Sequence, residues 1–114
     1  GADGTRVHAV IAPVVPYGAS ISIRLPSRMS ATMDALQQAG CWPAQWRPIL
    51  DRLVLARANI LITGSTGSGK TTLLKALLLN CRASERIVLV EEVRELQGLG
   101  NLNTVSLCAR AKNV

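Results

Sequence analysis

The 114-residue chain has no phenylalanine and a single tyrosine, Tyr17. Single-stranded nucleic acid is held by aromatic side chains interleaved with positive charge, and that kind of surface is missing. The net charge of +6 and a pI near 10.1 would otherwise point to nucleic acid or an anionic membrane. The ten arginines and three lysines are scattered rather than clustered, so no direct nucleic-acid binding is expected. No apolar run approaches the roughly 20 residues that span a bilayer, and no charged-then-apolar leader opens the chain. The expectation is a soluble piece. Cysteine is also scarce: Cys41, Cys81 and Cys108 make an odd number without metal-ligand spacing, as in a reduced cytosolic protein. The lone His8 reads as a surface histidine. A chain this short holds one small domain or pieces of two. With Gly1 at its start, it reads as an excerpt of a longer protein.

Against these absences stands one loud motif, "ILITGSTGSGKTTLLKALLL", residues 60 to 79. Gly64, Gly69, Lys70 and Thr71 fit G-x-x-x-x-G-K-[ST], the phosphate loop of nucleotide-binding proteins. Ile60, Leu61 and Ile62 before it predict a short buried parallel strand. Leu74, Leu77, Leu78 and Cys81 after it recur at helical spacing and predict an inward helix face. In such a loop, Gly64, Ser65, Thr66, Gly67, Ser68 and Gly69 curl the backbone so that its N–H groups surround a phosphate. Lys70 is then expected to reach the β- and γ-phosphates of ATP, and the Thr71 hydroxyl to ligate Mg²⁺, with Thr72 beside it. The alternative is a Gly/Ser-rich turn before a helix, with Lys70 merely solvated.

The flanking pattern alternates between periods. "TRVHAVI" and "ISIRL", joined by a Pro/Gly loop, predict a two-stranded ribbon belonging to a larger sheet. A short helix capped by Ser30, with Met33 and Leu36 inward, is expected to end at Gly40. A second begins around Pro43 to Pro48 and runs to about Arg57. "RIVLVEE" predicts a buried strand ending in two carboxylates, "VRELQGLGN" a turn or loop, and "TVSLCAR" a third strand. The fold class is α/β.

Ligands of open α/β sheets sit beyond the carboxyl ends of the strands. If the Glu91 strand neighbours the loop strand, Glu91 and Glu92 approach the phosphates and Mg²⁺. The alternative reading is that both cap the strand in solvent.

Together, "DGTRVHAVIAPVVPYGASISIRLPSR", "NILITGSTGSGKTTLLKALL" and "RIVLVEEVRELQ" resemble the secretion and conjugation ATPases of the type II/type IV superfamily, most closely the tight-adherence (Tad) pilus-assembly branch. The resemblance covers nearly the whole chain in three ordered blocks. It implies a partial RecA-like P-loop core over residues 58–114, the C-terminal β-ribbon of an N-terminal domain over 1–27, and a helical linker over 28–57. It further implies Mg²⁺-dependent ATP hydrolysis by a hexamer on the cytoplasmic face of the inner membrane, with membrane platform proteins as partners.

By position, Gly64 to Thr71 match the family's Walker A motif. Glu91 matches the glutamate thought to activate water, and Glu92 stands where the family more often has Asp, toward the metal. Glu95 matches a later acidic position, with a structural role as an alternative. Arg6 and Arg24 resemble the arginines that reach the γ-phosphate when the domains close, the alternative being a solvated sheet face. The family's Walker B-like and histidine boxes do not occur in these residues, so the chain by itself is expected to bind nucleotide and hydrolyse little. Two other readings stay open: a conjugative DNA-transfer ATPase and a non-catalytic nucleotide-binding module.

Overall fold

The computed structural model describes residues 5–25, 31–100 and 102–110. The alternating segments near the start form an antiparallel ribbon, β1 (Arg6–Ile11) with β2 (Ala19–Arg24). The register pairs Val7 with Ile23 and Ala9 with Ile21, which places these apolar residues on one face, with Val10 on the other. The first face is uncovered: Val7, Ile11, Ile21 and Ile23 are all exposed. The Cα radius of gyration is 18.0 Å, whereas a compact chain of this length has about 13 Å, so the described residues are drawn out.

Helix α1 (Met33–Gln38) starts two residues later than a cap at Ser30 would place it. Its cap is Thr32, whose Oγ1 accepts the Ala35 N–H at 3.1 Å; the expected cap, Ser30, lies outside the described residues. The helix closes with a Schellman pair of bonds, Cys41 N–H to the Leu36 carbonyl and Gly40 N–H to the Gln37 carbonyl. A 3-10 turn (Ala44–Trp46) then leads into α2 (Arg47–Leu55), with Pro48 in the first turn where no N–H is needed. α2 ends through the same pair of bonds, Ala58 to Leu53 and Arg57 to Val54. Here the left-handed position is taken by Arg57 (φ +53), whose guanidinium pairs with Glu85 at 3.0 Å.

Helix α3 (Lys70–Leu79) lies between two small cores. Ala76 and Leu77 pack on Met33 and Leu36 of α1, joined by Ile62 and Leu73. Leu78 and Leu79 pack against Ile87, Leu89 and Leu99. Because α3 is covered from two sides, its apolar surface is wider than the expected single stripe, and Leu74 stays partly exposed. A polar clasp ties the helices: Arg47 bonds Asp34 and Asp51 at 2.6 and 2.8 Å, and Asp51 accepts from Asn80, which caps α3.

β3 (Arg86–Glu91) and β4 (Asn103–Cys108) run parallel, with Glu91 opposite Cys108. Two expectations fail here. β3 alternates instead of being buried on both faces; Ile87 and Leu89 are covered while Val88 and Val90 are exposed. Residues Ile60, Leu61 and Ile62 join no sheet among the described residues, and Leu61 is 88 % exposed. Between that segment and β3 lies an open apolar groove of about 370 Å³, lined by Ile60, Ile62, Leu74, Leu77 and Ile87 among others. A strand needs a hydrogen-bonded neighbour, and apolar β-branched residues announce only the tendency to acquire one.

Candidate nucleotide-binding site

The loop from Gly64 to Gly69 leads directly into α3, whose N-cap is Gly69. Gly67 and Gly69 take φ of +75° and +95°, the left-handed region in which a side chain would clash with its own backbone. Gly69 supplies no side-chain cap, so the leading N–H groups of α3 are left for another acceptor. They sit at the positive end of a helix with no acidic residue in its first turn.

Lys70 folds back over the loop, its Nζ donating to the carbonyls of Gly64 and Ser65 at 2.8 and 2.7 Å. These acceptors are neutral, and phosphate oxygens at the same mouth would bind the ammonium more strongly. One residue on, Thr71 turns toward the end of β3. Its hydroxyl donates to Glu95 Oε2 at 3.0 Å. Glu91, the last residue of β3, accepts the backbone N–H groups of Glu95 and Leu96 on its Oε1, both at 3.0 Å.

Thr71, Glu91, Glu92 and Glu95 share one groove of about 490 Å³, with Val88, Val90 and Leu74 in its walls. Although the loop segment and β3 are not paired, the carboxylates still reach the head of α3, through the chain that follows β3. Among the described residues no three His, Cys, Asp or Glu side chains converge to hold a metal by themselves.

The type II/IV secretion system protein family matches residues 3–113. The chain belongs to that family. A Mycobacterium tuberculosis (strain H37Rv) protein provisionally named for conjugal transfer is 38% identical over 114 residues, covering 100% of this chain and 32% of the relative. The type IV secretion system protein PtlH of Bordetella pertussis is 38% identical over 115 residues, covering 82% of this chain and 34% of that protein. The crystal structure of the VirB11 ATPase from the Brucella suis type IV secretion system, in complex with sulphate, superposes with a TM-score of 0.52 at 29% identity. It covers 93% of this chain and 38% of that one. The chain therefore spans about a third of the length of these relatives.

Within this member of the secretion family, the loop residues suit a nucleotide phosphate: uncapped helix N–H groups, glycines in left-handed conformations and one ammonium. Mg²⁺ usually keeps most of its waters and takes few protein ligands beside phosphate oxygens. A lone Thr71 hydroxyl backed by carboxylates fits that habit. Thr72 is exposed in the first turn of α3. Glu92 lines the groove, but its side chain forms no hydrogen bond among the described residues.

The arginines stand elsewhere. Arg6 and Arg24 face each other across the ribbon as register partners, both exposed, and the described contacts do not bring them to the loop. Like charges directly opposite repel. Residue types and the family pattern directed attention to Glu91 and Glu92 for catalysis and metal, yet the carboxylate that touches Thr71 is Glu95. The sequence signalled it through its match to the later acidic position of the family pattern, four positions after Glu91, for which a structural role was the alternative.

Proposed function

We propose that the chain is the nucleotide-binding part of an ATPase motor that powers type II/IV-type secretion or tight-adherence pilus assembly. The observation that carries the reading is the meeting of Thr71, at the head of the phosphate-loop helix, with the acidic segment beyond β3 in one groove. Residues 1–27 end an N-terminal domain, 28–57 form a helical linker, and 58–114 begin the ATPase core. The backbone N–H groups of Gly64 to Thr72 grip the phosphates of ATP, and Lys70 exchanges its loop carbonyls for phosphate oxygens. Glu91 draws a proton from the attacking water, while Arg6 and Arg24 approach the γ-phosphate as the ribbon closes. Mg²⁺, when bound with the nucleotide, neutralises phosphate charge; the Thr71 hydroxyl is the group that would hold it.

In the intact protein the motor is a hexamer at the cytoplasmic face of the inner membrane, working with membrane platform proteins. Among the described residues no helix is long and apolar enough to cross a membrane. Lys70→Ala in the intact protein is expected to abolish ATP binding, measured with a fluorescent ATP analogue. Retained turnover would remove the phosphate loop from the mechanism.

A second reading, a conjugative motor, draws on the name of the M. tuberculosis relative. It predicts DNA binding that weakens steeply as salt rises, because each neutralised phosphate releases counterions.

A further inference from the structure

The hydrogen bond between Thr71 and Glu95 has a direction that matters. The hydroxyl is the donor and the carboxylate can only accept, so the proton of Thr71 Oγ1 is committed to Glu95. A hydroxyl engaged in this way keeps its oxygen lone pairs for a cation, and a charged acceptor raises their electron density. Glu95 in turn is held by the chain beneath it, since its own N–H and that of Leu96 both donate to Glu91 Oε1. The end of β3, the Glu91 carboxylate, the Glu95 backbone, the Glu95 carboxylate and the Thr71 hydroxyl thus form one connected series. Glu92, next to Glu91 in sequence, stands outside it and exposed.

We infer that Glu95 is the positioning residue for the metal ligand Thr71, fixing its rotamer and polarising its oxygen, and that Glu92 does not serve Mg²⁺ in this chain. The inference rests on the ATPase reading above and names a role for a residue that reading leaves unused. Outer carboxylates that orient a ligand are typically worth 10–100-fold in metal affinity. Removing Glu95 therefore weakens metal-dependent binding and leaves the phosphate grip itself intact. Without metal, loss of its negative charge beside the phosphates brings the nucleotide no penalty.

The test is a Mg²⁺ titration of fluorescent ADP binding to the intact protein, with a parallel measurement in EDTA. Glu95→Ala is expected to raise the half-saturating Mg²⁺ concentration about tenfold while binding in EDTA is unchanged or tighter. Glu95→Gln, which retains an acceptor oxygen for the Thr71 hydroxyl, restores most of the metal response, and Glu92→Ala leaves it unaltered. Coincident thermal melts of the variants separate these effects from misfolding. A normal Mg²⁺ response in Glu95→Ala, or a weakened one in Glu92→Ala, overturns the assignment. Failure of the unaltered protein to bind the nucleotide at all would instead sink the ATPase reading, and the role of Glu95 with it.

Discussion

Thr71 and Glu95 are 24 positions apart in the chain, yet 3.0 Å separates their side-chain oxygens. That bond joins the head of α3 to the segment after β3, and no feature of either segment alone requires it. Thr71→Val, which keeps the shape and removes the hydroxyl, should cost less than about 1 kcal/mol of stability because the pair is exposed. Metal-dependent nucleotide binding should nevertheless collapse. Thr71→Ser should recover it, which calorimetric titration with Mg·ADP would register.

Glu91 has two proposed duties that one substitution separates. Its Oε1 holds the Glu95 and Leu96 N–H groups, and an amide oxygen can do the same. Glu91→Gln in the intact protein should therefore keep Mg²⁺-dependent binding while turnover falls about 10²–10⁴-fold, the usual contribution of a general base. If the variant hydrolyses ATP at the normal rate, Glu91 is a structural cap and the water is activated elsewhere.

The opposed arginines of the ribbon lend themselves to a charge test. Arg6 and Arg24 are register partners, so Arg24→Gln relieves repulsion and should leave the fold of the ribbon unharmed. Turnover in the intact protein is expected to drop at least tenfold, with nucleotide affinity little changed, if the guanidinium acts on the γ-phosphate during closure as proposed. Equal loss of ADP and ATP binding would show that the pair serves assembly rather than chemistry.

Thr32 begins α1 through its bond to the Ala35 N–H. Thr32→Ala should lower stability by about 1 kcal/mol, and Thr32→Ser should recover most of it. Urea denaturation followed by circular dichroism measures both. Since α1 packs on α3 through Met33 and Leu36, a larger loss would mean that the cap also sets the position of the phosphate-loop helix.

Burial pushes the Cys81 thiol above its ordinary pKa, with the nearby Glu85 charge adding to the effect. Cys81 should thus alkylate more slowly at neutral pH than the exposed Cys41 and Cys108. The sign for stability follows from the raised folded value: the neutral thiol is favoured in the folded chain. Its contribution is whole below the unfolded thiol pKa of about 8.5 and is lost as pH climbs past it toward the folded value. Mapping iodoacetamide labelling by mass spectrometry against pH tests the order. Labelling of Cys81 as fast as Cys108 would contradict it.

Local chemistry is where the sequence was most readable. A glycine-rich loop followed by Lys and Thr leaves few conformations other than a backbone curled before a helix, and Gly67, Gly69 and α3 follow that pattern. The alternation of "TRVHAVI" and "ISIRL" likewise determined which residues share a ribbon face, because side chains of a strand alternate whatever it pairs with. The α/β class was legible in the alternation of strand and helix patterns, and the secretion family in the resemblance of three ordered blocks; the structural and family matches bear them out.

Pairing and side-chain partnership belonged to the tertiary structure. Ile60 to Ile62 have the composition of a sheet strand, but a ladder depends on a neighbour supplied from elsewhere in the chain, and β3 took β4 instead. Thr32 rather than a neighbouring hydroxyl residue caps α1 because Met33 and Leu36 must face α3, which sets where the first turn begins. Three glutamates within five residues look alike on paper. Which one reaches Thr71 was decided by the turn after β3, whose N–H groups Glu91 binds, and that turn carries Glu95 to the head of the helix.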